Sequence, residues 1–430
     1  MAAVSVSLVF GCSSKDVSTL VTPPDTTTVA PIVVTGVAEP GMASYDTVIS
    51  SLMREYNIPG GAVGVVKDGK LVFAHGYGYA DVANQVSVKP DALFRLASLS
   101  KAITAATILH LVEEGVLGLD DPAFSYLSDL SPPTGKTEDA RLSRITIRQL
   151  LQHSGGWDRD ATFDPMFEST MIADSLGVAA PASADDVIRY MTGRPLDFDP
   201  GVRYAYSNFG YVVLGAIIQR LTGEPYVDYV KAQVLQNMGI QRMAQGHTLL
   251  KDSVPGEVRY YAVGGQGLDY PLVQSVFPGQ GLVPQAYGGF YMEAMAANGG
   301  WVSNTMDLLR FITSVDGLHN RPQFLADSTI RQMIAQPTAN NTWPPGSAYW
   351  YAMGWLVRPS NGDANWWHTG GLPGTTTEMV RAYNGVEWVA LFNARAVNDA
   401  GFTAALDNSL WTALQGVTSW PTTDLFPQYP

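Results

Sequence analysis

Between Tyr45 and Tyr56 apolar residues recur at helical spacing: Tyr45, Val48, Ile49, Leu52, Met53 and Tyr56 share one face. This predicts an amphipathic helix, stopped by Pro59-Gly60. The pattern then switches to two β-rich runs, "GGAVGVVK" and "KLVFAHGYGYAD", around Asp68-Gly69, the strongest short hairpin signal. A third pattern follows. From Ala102 to Val112 there is no formally charged residue, and apolar side chains cover nearly the whole circumference. Such a helix is buried. Yet Lys101 stands in its first turn, three residues after Ser98. An unpaired ammonium is costly to bury, so Lys101 needs a partner or a task.

The middle of the chain is helical and rich in loops. Thr146 is placed to cap "IRQLLQH", and Ser183 to cap "ADDVIRYMTG" with Asp186 at the box position. "SNFGYVVLGAIIQRLTG" reads as an apolar helix closed by Gly223, with Ser207 or Asn208 as its cap. From about 240 to 290 Gly, Pro and Tyr abound without a clear period, which marks a functional loop or elements the pattern does not reveal. Strand signals return in "YAMGWLVR", "TTTEMVRAY" and "EWVALFNAR", and "FTAALDNSLWTALQ" reads as a closing helix. Strands at both ends with helices between imply an α+β fold. One antiparallel sheet is assembled from both termini and flanked by helices, with a mainly helical lobe inserted. The sheet lobe is expected over 44–115 and 285–415, the helical lobe over 116–284, and a tail over 416–430.

Ahead of this, residues 13–43 are rich in Ser, Thr and Pro and read as an extended spacer. The first twelve residues include an apolar run ending in Gly-Cys. This resembles the end of a bacterial lipoprotein signal, in which Cys12 is lipidated and the protein is held at the cell envelope, periplasmic or lipid-anchored. Met1 to Gly11 lacks the basic start of a signal peptide, so a plain apolar tail is the alternative. No other segment has about 20 unbroken apolar residues.

Charge narrows the possibilities. The 430 residues carry 26 Lys and Arg against 39 Asp and Glu, a net charge of -13. A nucleic-acid partner, which needs a basic footprint, is not expected. The single cysteine excludes an intrachain disulfide. The six histidines include no HExxH or other close pair, so neither a metal nor another cofactor is expected.

Three short motifs carry candidate chemistry. Ser98 and Lys101, three apart on a helix, share a face. A serine hydroxyl needs a base to become a nucleophile, and a lysine in an apolar site is held neutral more easily than one in water. In "FDPGVRYAYSNFGYVVLG", Tyr206 sits before a helix, where its hydroxyl can point outward. Between two cations its pKa is expected to fall, so that it passes protons. Asn208 offers an amide to a substrate carbonyl or to Lys101. In "WWHTGGLPG", the small residues after His368 let a ligand approach a strand closely. Backbone N–H groups there suit half an oxyanion hole, and His368 adds a group that titrates near neutral pH. Taken singly, each motif also reads as capping or packing.

SxxK, YxN and HTG occur in that order, and together they resemble the penicillin-recognising serine hydrolases. These include class C β-lactamases, serine DD-peptidases, and the family VIII carboxylesterases and D-aminopeptidases that share their fold. The segments "ITIRQLLQHSGG" and "NGGWVSNTMDLLRFI" are similar too. The resemblance implies that Ser98 is acylated and that Lys101 and Tyr206 share acid and base duty. It implies that Asn208 and Thr369 hold substrate, and that Ser98 and Gly371 N–H groups form the oxyanion hole beside Gly370. Trp157 and Asp158 are expected to line the cleft. So are the aromatics Tyr287, Phe290, Tyr291, Trp301, Trp366 and Trp367. Typical class C β-lactamases carry lysine where this chain has His368, which weakens that reading, and no GxSxG pentapeptide supports an α/β-hydrolase. The expected activity is that of a carboxylesterase or broad acyl hydrolase on a small ester. A D-Ala-D-Ala carboxypeptidase or D-aminopeptidase acting on a D-peptide is the alternative. A true β-lactamase or an inactive wall-binding homologue ranks lower.

Overall fold

The computed structural model describes residues 31–263, 271–337, 343, 347–396 and 401–429. At its centre is a nine-stranded antiparallel sheet built from both ends of the chain. In chain order its strands are β1 (Val34–Gly36), β2 (Gly60–Lys67), β3 (Lys70–Asp81), β4 (Val86–Ser87), β5 (Trp350–Tyr351), β6 (Leu356–Ser360), β7 (Asp363–Leu372), β8 (Thr375–Arg381) and β9 (Val386–Phe392). In space they run β1-β3-β2-β9-β8-β7-β6-β5, with β4 on β3. Pairing of β2 with β9, from Gly61 opposite Phe392 to Lys67 opposite Val386, joins the first hairpin to the C-terminal strands. The β2–β3 turn is Asp68-Gly69, with φ of 52° and 74°. Two left-handed residues give the twist a two-residue hairpin requires.

The helices that frame the sheet and the site are α1 (Ala43–Glu55), α2 (Ser100–Glu113), α3 (Ile147–Leu151), α4 (Ser169–Leu176), α5 (Ala184–Thr192), α6 (Asn208–Thr222), α7 (Thr305–Thr313) and α8 (Gly401–Gln415); Tyr226–Tyr229 and Asp327–Ile334 are helical as well. Helices α1 and α8 cover one face of the sheet: Tyr45 lies 5.2 Å from Phe73 and Trp411 lies 4.8 Å from Trp388, ring centre to ring centre. Helix α7 packs on the other face over β2 and β9. The caps follow the sequence. Thr146 with Gln149, and Ser183 with Asp186, form reciprocal capping boxes, each cap contributing about 1 kcal/mol. Ser207 rather than Asn208 caps α6, its Oγ accepting from Gly210 N–H at 3.1 Å, and Gly223 ends that helix at φ 73°.

Three regions differ from the pattern. The spacer expected through residue 43 is structured from β1 onward. Val34–Gly36 pairs with β3, Thr35 Oγ1 donates to Val88 O at 2.6 Å, and α1 begins at Ala43. A three-residue edge strand has no alternation to reveal it. The tail expected over 416–430 folds back onto the body. Leu425 N–H donates to Leu71 O at 2.8 Å, and the Arg310 guanidinium of α7 donates to the Phe426 and Tyr429 carbonyls. The aperiodic stretch from 240 holds strands of two or three residues, such as Tyr261–Val263 beside Ala394–Ala396. Their register comes from distant partners, so no local period betrays them. Cys12 lies outside the described residues.

Candidate active site

Ser98 lies in a single 3-10 turn, Ala97–Leu99, that runs directly into α2. Ala97, just before it, has φ of +49°. A non-glycine residue there costs on the order of 1–3 kcal/mol and persists only where its surroundings hold it. They do: Thr377 Oγ1 donates to Leu96 O at 2.9 Å, and Ser100 Oγ donates to Ala97 O at 2.7 Å. Strand β7 presses against the same turn. A Cβ on Gly370 would stand 2.6 Å from Leu96 O and 3.1 Å from Ala97 Cβ, so only glycine permits this approach. Strand β6 stops pairing with β7 at Leu356 opposite Trp367. The edge of β7 from His368 to Leu372 therefore extends past its neighbour, beside Ser98.

Lys101, the second residue of α2, is fully buried. Its Nζ lies 3.1 Å from Ser98 Oγ, 2.7 Å from Asn208 Oδ1 and 2.7 Å from Asn298 O. Burial is the main cause that holds its pKa well below the usual lysine range. Tyr206 OH donates to Ser98 Oγ at 2.9 Å. Its pKa does not fall, contrary to expectation. Burial pushes it up and outweighs the hydrogen bond to Ser98 and the Arg159 charge. Tyr206 is thus a phenol, a hydrogen-bond donor aimed at the serine.

His368 departs from expectation in the same way. Burial first, then the Lys101 charge, lowers its pKa to about 3. Its Nδ1 lies 2.7 Å from Thr369 O, which only accepts, so Nδ1 carries the hydrogen and Nε2 accepts from Tyr351 OH at 3.0 Å. The ring is neutral and does not titrate near pH 7. A second buried histidine, His153, accepts the Ser207 N–H at Nδ1, 3.1 Å away, and packs 4.3 Å from the Tyr206 ring. Burial holds it neutral as well.

Ser98, Tyr206, Asn208, His368, Thr369 and Gly371 line one cavity of about 480 Å³. Trp157 and Asp158 do not. Trp157 is buried against Phe209, ring centres 4.7 Å apart, and Asp158 is paired with Arg203 at 2.7 Å. Arg159 faces the cavity from that loop instead. The aromatic wall also differs: Tyr204, Phe167 and Tyr351 line the cavity, whereas Phe290, Trp301 and Trp366 are buried in the core. Tyr287, Tyr291 and Trp367 are likewise absent from the lining. Large apolar residues in strands and turns serve packing first, and composition does not separate the two uses. The chain also brings in residues no motif signals. Asp164 Oδ2 accepts from Asn208 Nδ2 at 2.6 Å, and Arg159 Nη1 lies 3.7 Å from that oxygen. Arg395 lines the cavity beside Gly371.

Comparison with known proteins bears on the family and the fold. A family model described as Beta-lactamase matches residues 45–408. Penicillin-binding protein 4* of Bacillus subtilis (strain 168) is 28% identical over 324 residues, which is 75% of this chain and 65% of that protein. The chain thus spans less than two thirds of that relative's length. Among solved structures, the D-amino acid amidase of Ochrobactrum anthropi SV3 superposes with a TM-score of 0.66 at 21% identity, covering 88% of this chain and 99% of that one. EstCE1, a hydrolase with promiscuous acyltransferase activity, gives 0.66 at 20% identity with the same coverage. At these identities the two superpositions speak for the fold.

Proposed function

The chain belongs to the β-lactamase family of serine hydrolases, and from that premise we propose that it is a carboxylesterase or broad acyl hydrolase working through an acyl-enzyme on Ser98. One observation carries the reading: Ser98 Oγ sits 3.1 Å from Lys101 Nζ and 2.9 Å from Tyr206 OH on the wall of an open cavity. Ser98 Oγ attacks the carbonyl carbon while Lys101 Nζ takes its proton. The tetrahedral oxygen is held by the Ser98 and Gly371 N–H groups. Collapse breaks the bond to the leaving group, which is protonated through Tyr206, and water then releases the acid by the reverse path. Asn208 and Thr369 orient the substrate. The neutral, hydrogen-bonded His368 offers no cation of its own to a β-lactam carboxylate, and this favours an ester; the cations on the cavity wall are Arg159 and Arg395.

The test assays p-nitrophenyl butyrate beside a D-Ala-D-Ala peptide and nitrocefin, with intact-mass detection of a fluorophosphonate adduct on Ser98. Ester turnover with a single Ser98 adduct is expected. Absence of any adduct overturns the hydrolase reading, and peptide turnover without ester turnover overturns the esterase reading. A second reading, a D-peptidase, is favoured by Arg395. It reaches the cavity exposed, and none of the described carboxylates pairs with it. On that reading Arg395→Gln raises KM about tenfold for a peptide with a free C-terminal carboxylate and leaves its C-terminal amide unchanged. Equal effects on both would remove it.

A further inference from the structure

We propose that Asp164 and Arg159 are a positioning pair for the nucleophile's base: Asp164 fixes the Asn208 amide so that its oxygen faces Lys101, and Arg159 counters the Asp164 charge beside the Tyr206 ring. The inference rests on the acyl-enzyme reading above and adds residues outside the three motifs.

Asp164 Oδ2 lies 2.6 Å from the Asn208 side-chain nitrogen. A carboxylate only accepts, so the amide NH2 must point to it and Oδ1 must point the other way, to Lys101 Nζ at 2.7 Å. The third group around Nζ is the Asn298 carbonyl, also an obligate acceptor, at 2.7 Å. A neutral amine has two hydrogens and one lone pair. Asn208 Oδ1 and Asn298 O take both hydrogens, which leaves the lone pair for the Ser98 hydroxyl, 3.1 Å away. A flipped Asn208 amide would turn its NH2 toward Nζ and compete for that lone pair. Asp164 prevents the flip, and through Asn208 it aims Lys101 at Ser98.

The same pair sets the charge around Nζ. The groups that face Lys101 are Ser98 from its own turn, and Asn208 with the Tyr206 and Tyr211 rings, at 4.9 and 5.7 Å, from α6 and its approach. The neutral His153 and His368 face it from the segment after α3 and from β7. Asp164 and Arg159 face it from the loop before α4. Only the last two bear full charge. Arg159 Cζ stands 4.6 Å from the Tyr206 ring centre, with Nη1 3.7 Å from Asp164 Oδ2. After burial, which lowers the lysine pKa, Asp164 raises it and Arg159 lowers it. The two therefore act in opposite directions on one base.

The experiment is the pH dependence of Ser98 phosphonylation by an aryl fluorophosphonate, followed by intact mass. The rate rises as Lys101 loses its proton. Asp164→Asn removes the charge that favours the ammonium. Its acid limb moves down by roughly one pH unit, and its plateau falls roughly tenfold as the amide gains freedom to flip. Arg159→Gln moves the limb up. Asp164→Glu and Arg159→Lys, which keep the charges, stay near the wild-type limb. Shifts in the same direction, or no shift in either charge-removing variant, overturn the pairing. If Asp164→Asn does not fold, the upward shift in Arg159→Gln, a surface change, still decides. A wild-type protein that is never labelled overturns the hydrolase reading itself, a result distinct from labelling with an unmoved limb.

Discussion

Thr377 and Glu378 are neighbours on β8, and their side chains leave opposite faces of the sheet. On one face Thr377 holds the turn that carries Ser98, with Lys101 buried behind it. On the other, Glu378 is buried under α8. Its Oε1 accepts from Trp388 Nε1 at 3.1 Å, and its Oε2 has no hydrogen-bond partner among the described residues. Burial acts on both ionisable groups in the same sense, toward the neutral form. Lys101 is lowered well below its ordinary range, and Glu378 is pushed up to about 8 by burial and by Asp407. What separates them is company and space. The neutral amine meets a serine hydroxyl that opens on a cavity, whereas the neutral acid meets an indole N–H in a closed layer. A shifted pKa marks burial; a reacting partner within hydrogen-bond reach and room for substrate mark a site.

The largest expected effect lies on the cavity face. Ser98→Ala lowers ester turnover by at least about 10³-fold and leaves Tm within roughly 1 °C, since the serine is half-buried and supplies no cap or core contact. Steady-state kinetics and thermal melts check this together. A loss of activity matched by a large fall in Tm would place Ser98 among structural groups like Glu378 and dissolve the contrast.

Gly370→Ala comes next, and it affects both activity and stability. The new methyl would meet Thr377 Oγ1 first, then Leu96 O and Ala97 Cβ, so the Thr377 side chain that holds the turn, β7 or the strained turn itself must move. Overpacking of this kind costs about 1–3 kcal/mol. Movement of Ser98 relative to the β7 edge costs about a further 10²-fold in turnover. An alanine variant with unchanged kcat would mean that close contact between β7 and the nucleophile turn is not what positions Ser98.

Legibility in the sequence followed the range of the interaction. The buried helix, the Asp68-Gly69 hairpin and the caps at Thr146 and Ser183 all rest on neighbours within a few residues, and each is found where the pattern puts it. The motif residues Ser98, Lys101, Tyr206, Asn208 and His368 do meet around one cavity. Their ionisation was not legible: Tyr206 and His368 were expected to titrate lower and near neutral pH, respectively, because burial depends on the whole fold. Asp164 left no trace either, since a lone aspartate in a loop reads as solvated until the fold sets it 2.6 Å from Asn208. The spacer failed for the opposite reason. Its strand β1 is dictated by the exposed edge of β3 rather than by its own residues.

The smallest effect, and one confined to stability, belongs to Glu378→Gln on the closed face. The folded chain holds a proton on Glu378 up to a pH of about 8, whereas the unfolded chain releases it near pH 4.3. Between those values the native state binds the extra proton, so stability falls as pH rises through the window, and this contribution is gone above about pH 8. Glutamine has nothing to release and keeps an oxygen for the Trp388 N–H. The variant and the wild type should therefore melt together near pH 4, with the variant gaining several degrees in Tm by pH 8 to 9. Turnover per folded molecule should be unchanged throughout, because Glu378 faces away from the cavity. Asp407, whose pKa burial also raises, is present in both proteins and cancels in the difference. Melting curves that stay parallel from pH 4 to 9 would show that Glu378 is ionised in the folded protein. The two faces would then differ in how much water reaches them, and not only in the company each buried group keeps.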